Sequence, residues 1–167
     1  QAFFVQKPDD TGEINFASDC RATYTKSEEK MAASRARRLT RGVDADRQLI
    51  NLTIADTEVK DKTRVVFNEN ANNDYEIGCD AAKFVSTEDV PQIYSLDYKG
   101  NRYAINERPV GEVKIAYQAK KAGSYKIGVT RMDRDVVLYD NETKAVFDFS
   151  TGDYSFDTEA GTFENRF

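Results

Sequence analysis

Histidine and tryptophan are both absent from the 167-residue chain. Without histidine there is no Ser-His-Asp or Cys-His nucleophile pair, no histidine-ligated zinc or haem, and no imidazole switch near neutral pH. Without tryptophan the strongest stacking platform for sugar rings is missing. Two cysteines, Cys20 and Cys79, are too few for a thiolate metal site or a disulfide framework. Two readings of them stand: one bridge tying the amino-terminal segment to the body, or two free thiols, with the Cα separation of about 4.4 to 6.8 Å that a bridge requires deciding between them. No apolar run approaches the length of a membrane span. No charged-plus-apolar leader opens the chain, and Ala2-Phe3-Phe4-Val5 already reads as a strand, as expected of a piece of a longer precursor.

What is present is a polar surface around one sizeable core: 40% hydrophobic and 32% charged residues, with 24 basic against 29 acidic side chains. The net charge of -5 argues against nucleic acid or an anionic membrane surface as the main partner. The charge is unevenly spread. Residues 21–47 hold eight basic and four acidic groups, leaving sixteen basic against twenty-five acidic elsewhere. Only Tyr24 lies near those arginines, so the strip lacks the aromatics of a single-strand platform and reads as a solvated connecting segment.

The pattern divides the chain at residue 48. In the arm, residues 1–47, two short strands flank the turn cluster Pro8-Asp9-Asp10-Thr11-Gly12. Ser27, the early acids Glu28 and Glu29, the later arginines and Gly42 outline a short helix over 28–40, with a flexible linker as the other reading. From Gln48 the apolar period is two. Ile50, Leu52 and Ile54 alternate with polar residues, as do Val113, Ile115 and Tyr117, and Tyr125, Ile127 and Val129. Further β-rich runs begin near Thr63, Ala82, Gln92, Arg102, Val136, Val146 and Asp153, with turn residues between them. Short strands at this spacing predict an all-β domain over 48–167, an antiparallel β-sandwich of jelly-roll type. Its expected core is Ile50, Leu52, Val65, Phe67, Phe84, Tyr103, Ile105, Ile115, Tyr125, Ile127, Val129, Leu138, Phe147 and Phe156.

Three groups invite a chemical reading. The oxygen-rich stretch from Asn68 to Asp80 offers Asn68, Asn70, Asn72, Asp74 and Asp80 as calcium ligands, since calcium takes six to eight oxygens, but the spacing fits no EF-hand loop. Turn formation accounts for the same residues, and the expectation is no cofactor. Tyr94, Tyr98 and Tyr103 could form a sugar-binding face, or could face the core with hydroxyls at its rim. Carboxylate pairs about 5 to 9.5 Å apart would suit glycoside hydrolysis. With 29 acids such a pair arises on almost any surface, so it decides nothing, and the chain reads as no enzyme. Asn51-Leu52-Thr53 and Asn141-Glu142-Thr143 match the short glycosylation acceptor pattern.

The succession Arg64-Val-Val-Phe-Asn-Glu-Asn-Ala71, Asn73-Asp-Tyr-Glu76, Asp80-Ala-Ala-Lys-Phe84, Pro91-Gln-Ile-Tyr94 and Tyr103-Ala-Ile-Asn-Glu-Arg-Pro109 carries a resemblance. It continues through Ala122-Gly-Ser-Tyr125, Val137-Leu-Tyr-Asp140, Gly152-Asp-Tyr-Ser-Phe156, Ala160-Gly161 and Asn165-Arg-Phe167. Together these strings resemble the carboxyl-terminal β-sandwich module of large secreted and surface proteins of Bacteroidetes bacteria, over roughly residues 48–167. The resemblance implies a non-catalytic module at the end of an exported multidomain protein, located in the medium or on the outer face of the cell. Its partners would be the other domains of its precursor, and its role display, anchoring or export. The alternative is an adhesion or carbohydrate-binding module with a surface protein or glycan as ligand. It also implies a final strand running past the Asn-Arg-Phe string.

Overall fold

A computed structural model describes residues 47–167. They belong to a unit spanning Val43–Phe167. The two strands and the helix expected in the arm, and Cys20, lie outside the described residues. Eleven strands follow in order: β1 Gln48–Ala55, β2 Lys60–Phe67, β3 Ala81–Ala82, β4 Gln92–Leu96, β5 Arg102–Arg108, β6 Lys114–Ala119, β7 Gly123–Met132, β8 Val137–Asp140, β9 Ala145–Asp148, β10 Tyr154–Thr158 and β11 Gly161–Phe163. A single 3-10 turn, Phe149–Thr151, is the only helical element among the described residues. The fold is all-β.

Nine strands form one curled mixed sheet in the order β10-β7-β1-β2-β5-β4-β6-β11, with β3 paired to β5. In β1 the predicted alternation is realised: Ile50, Leu52 and Ile54 are buried and the residues between them are half-buried. A register slip between Asn51 and Leu52 against β7 is a bulge, which sharpens the local twist and helps the sheet curl. The outermost strands of the order, β10 and β11, come together across Tyr117 of β6. Its ring lies 5.2 Å from Phe156 and 4.9 Å from Phe163, and its hydroxyl is 3.0 Å from Thr158 Oγ1. β8 and β9 form a separate hairpin whose inward residues Leu138 and Phe147 pack with Phe149 on the same core.

Three features depart from the sequence reading. The arrangement is not wholly antiparallel, because β2 pairs β5 in parallel. A parallel pair needs a long crossover, and the chain between Phe67 and Arg102, carrying β3 and β4, supplies one. The buried Thr63 hydroxyl joins β2 to β5 at the start of that pairing, bonding to the carbonyls of Tyr103 at 3.1 Å and Ala104 at 3.2 Å. Phe84, expected in the core, is 72% exposed. β3 ends at Ala82 after an irregular pairing with β5, so the alternation that would carry Phe84 inward stops before reaching it. Ile105, Val129 and Phe147 are half-buried, while the other ten expected core residues are buried.

Candidate ligand cavity

Among the described residues one end of the curled sheet is open. Ile50 and Leu52 of β1, Val65 and Phe67 of β2 and Ile115 of β6 face a cavity of about 910 Å³, closed on its other sides by Leu138 of β8, Phe149 and Phe167. The pairing of β1 with β2 sets Ile50 opposite Val65, so their side chains project to the same wall. Two connecting segments form the rim, 110–113 before β6 and 134–136 before β8, with Lys114 and Val137 opening those strands. Val110 and Val137 are exposed there. The Arg134 guanidinium lies 5.3 Å from the centre of the Phe67 ring, a cation over an aromatic face.

The rim carries Arg134 and Lys114 with Glu112 and Asp135. Among the described residues, none of these four charges has an ion-pair partner. The walls are aliphatic and aromatic, so the cavity can bury an apolar body. Its mouth can address charge of either sign.

Over residues 1–167 the chain matches a family model described as Domain of unknown function (DUF8693). It belongs to that family. No curated protein and no solved structure matches the chain.

In this DUF8693 domain three of the five residues singled out for calcium, Asn68, Asp74 and Asp80, have their side-chain oxygens engaged in backbone and side-chain bonds. Asn68 accepts from the Asn70 N–H at 3.0 Å and donates its amide to Glu107 at 2.7 Å. Asp80 accepts from the N–H of Glu76 at 2.8 Å and of Glu107 at 2.7 Å. Asn68 and Asp80 thus meet at Glu107, which also pairs with Arg47. Glu107, near the end of β5, thus serves the fold by holding the Asn68 and Arg47 side chains. Asp74 belongs to a different contact: it accepts from the Tyr98 hydroxyl at 2.8 Å and from Lys99 Nζ at 2.6 Å, and these bonds hold its carboxyl below the ordinary value. Asn70 and Asn72 are exposed. Among the described residues no group of three or more carboxylates or thiols is placed to hold a metal ion.

The three tyrosines do not share a face. β4 is buried along its whole length, which encloses Tyr94, and Tyr103 is buried with its hydroxyl donating to Asp97 at 3.0 Å. Tyr98 alone remains exposed. Of the acceptor asparagines, Asn51 is half-buried and accepts from Arg64 Nε at 2.8 Å, whereas Asn141 is exposed at the cavity rim. Cys79 is a free thiol whose pKa burial pushes up, with Glu107 and Glu76 adding to the rise.

The sequence reading passed over the cavity. Its mouth is built from Val110 on one segment and Arg134 and Val136 on another, which folding alone brings together. The available signal was slight: Val110, an apolar residue between the turn residues Pro109 and Gly111.

Proposed function

We propose that the domain is a non-catalytic β-module of a larger secreted or cell-surface protein, serving its display, anchoring or export. The observation that supports this reading most is where the polar residues of the recognisable strings are used. Asp80 bonds to backbone, Glu107 to the side chains of Asn68 and Arg47, and Asp140 and Arg166 to each other and to backbone, all inside the fold. In a catalytic domain the distinctive polar residues converge on a cleft with free donors and acceptors. Here they bind strand to strand and loop to loop, as a scaffold requires.

The reading predicts location. A precursor lacking residues 48–167 should accumulate inside the cell or be released from its surface, as followed by fractionation. If that protein instead reached its ordinary location and lost only adhesion to a surface protein or glycan, the domain would be a binding module and the display reading would fall.

A further inference from the structure

We propose that the open end of the sheet is a binding site for a single-chain zwitterionic amphiphile, such as a lysophospholipid. The apolar tail lies among Leu52, Val65, Phe67, Leu138 and Phe149, and the head group sits at the rim. This inference does not depend on the display reading.

The first support is volume. Protein interiors pack as densely as organic crystals and leave few voids larger than a water molecule. A concavity of about 910 Å³, open to solvent on one side and lined by core and rim residues together, is far larger than such a void. It falls within the range of about 300 to 1,000 Å³ typical of small-molecule sites. The second is chemistry of the wall. Sugars and nucleotides need several convergent polar partners, and the five tail-contacting side chains offer none. A saturated chain asks only for removal from water.

The third is the rim. Charges of both signs stand there without ion-pair partners among the described residues, two cations (Arg134, Lys114) and two carboxylates (Glu112, Asp135). A fatty acid would satisfy the cations and meet the carboxylates with like charge. A head group bearing a phosphate and an ammonium complements both. Arg134 is the better fixed of the two cations, because the Phe67 ring beneath it limits where its guanidinium can go. Val110, exposed at the mouth, would cover the part of the tail nearest the head.

The test is titration of the full chain with lauroyl lysophosphatidylcholine below its micelle-forming concentration, by calorimetry and by methyl NMR. Saturable one-to-one binding with joint shifts of the Leu52, Val65 and Leu138 methyls is expected. Val136→Trp, which fills the mouth, should abolish it. The double variant Arg134→Gln, Lys114→Gln leaves the cavity open and should weaken lysophosphatidylcholine about tenfold, roughly the 1.4 kcal/mol expected of a lost charge-assisted contact, with monolaurin unaffected. Non-saturating uptake, or methyl shifts that persist in Val136→Trp, would overturn the site. Lauric acid binding more tightly than the zwitterion, or equal affinity of the double variant and the unaltered chain for lysophosphatidylcholine, would overturn the head-group assignment.

Discussion

Asp140, the last residue of β8, lies buried against Arg166, with Oδ2 3.0 Å from Nη2 and 3.2 Å from Nε of the guanidinium. The side chains are 1% and 6% exposed. Two charges taken out of water cost more than their attraction returns unless the remaining donors and acceptors are also met. Here they are. Tyr154 donates to Asp140 at 2.8 Å, the N–H of Glu142 does so at 2.8 Å, and Arg166 reaches the Asp157 carbonyl at 3.1 Å and Glu142 at 2.9 Å. The guanidinium lies 4.6 Å from the Phe156 ring centre, so the pair ties the β8–β9 hairpin to the aromatic end of the core.

Removing one partner should therefore be costly. Asp140→Asn leaves the buried guanidinium with only the exposed Glu142 carboxylate as counter-charge, and a loss of about 3 kcal/mol, the low end for a broken buried pair, is expected in urea unfolding at neutral pH. A double variant, Asp140→Leu with Arg166→Met, should recover much of it. The pair also predicts an acid limb. Burial pushes the Asp140 carboxyl up, but the bonds from Arg166, Tyr154 and the backbone outweigh that and leave it below 3.8. A carboxyl depressed in the fold stabilises fully above its unfolded value, and the contribution is lost as pH falls through the folded one. Unfolding midpoints should drop below about pH 4, by less in Asp140→Asn.

Phe156 marks the other half of the same junction. Its ring lies 5.2 Å from those of Tyr117 and Phe167, 6.1 Å from Tyr154 and 6.3 Å from Tyr125. Phe156→Ala should cost about 3–5 kcal/mol, because rings held from four sides cannot collapse into the space. Tyr98→Ala, at an exposed position, should stay within about 0.5 kcal/mol despite losing the bond to Asp74. Equal costs at the two sites would refute this placing of the core.

Why β1 and β7 were legible while other parts were not follows from how each is buried. Ile50, Leu52 and Ile54 sit on one face only, so burial writes a period of two into the sequence. β4 is enclosed on both faces, and Gln92-Ile93-Tyr94-Ser95-Leu96 then carries no alternation to show that Tyr94 is inside. Phe84 shows the reverse: an aromatic beside a strand of two residues has no register to direct it inward. The parallel pairing of β2 with β5 and the cavity depend on contacts between distant segments, which local spacing does not encode. The Asn68 to Asp80 cluster was legible as turn chemistry but not as the set of partners for Glu107.

Those partners make the calcium test informative. A ligand that binds only the folded state raises its stability by mass action. Asp80 already accepts two backbone N–H groups and Asp74 is held by Lys99 and Tyr98, so a cation would have to displace bonds the fold uses. The melting temperature should be the same in millimolar calcium and in chelator. A reproducible rise with calcium would mean that the loop rearranges into a site and would favour calcium-dependent adhesion.

Tyr103 gives a prediction at the opposite end of the pH scale. Its ring stacks on Tyr75 with centres 6.0 Å apart, and its hydroxyl donates to Asp97, whose other bonds come from Asn101 and Lys99. Burial, and then the bond to the Asp97 carboxylate, push its pKa from 10.0 up to about 12. The fold thus favours the neutral phenol: its contribution is complete below the unfolded value of 10.0 and is lost as pH rises through about 12. In ultraviolet titration, the difference between the unaltered chain and Tyr103→Phe should contain one tyrosinate step centred near 12. Asp97→Asn should move that step downward but not back to the ordinary value, because burial, the larger cause, remains. A difference step near 10 would show that the Tyr103 hydroxyl is open to water and that the turn from Asp97 to Asn101 is arranged differently.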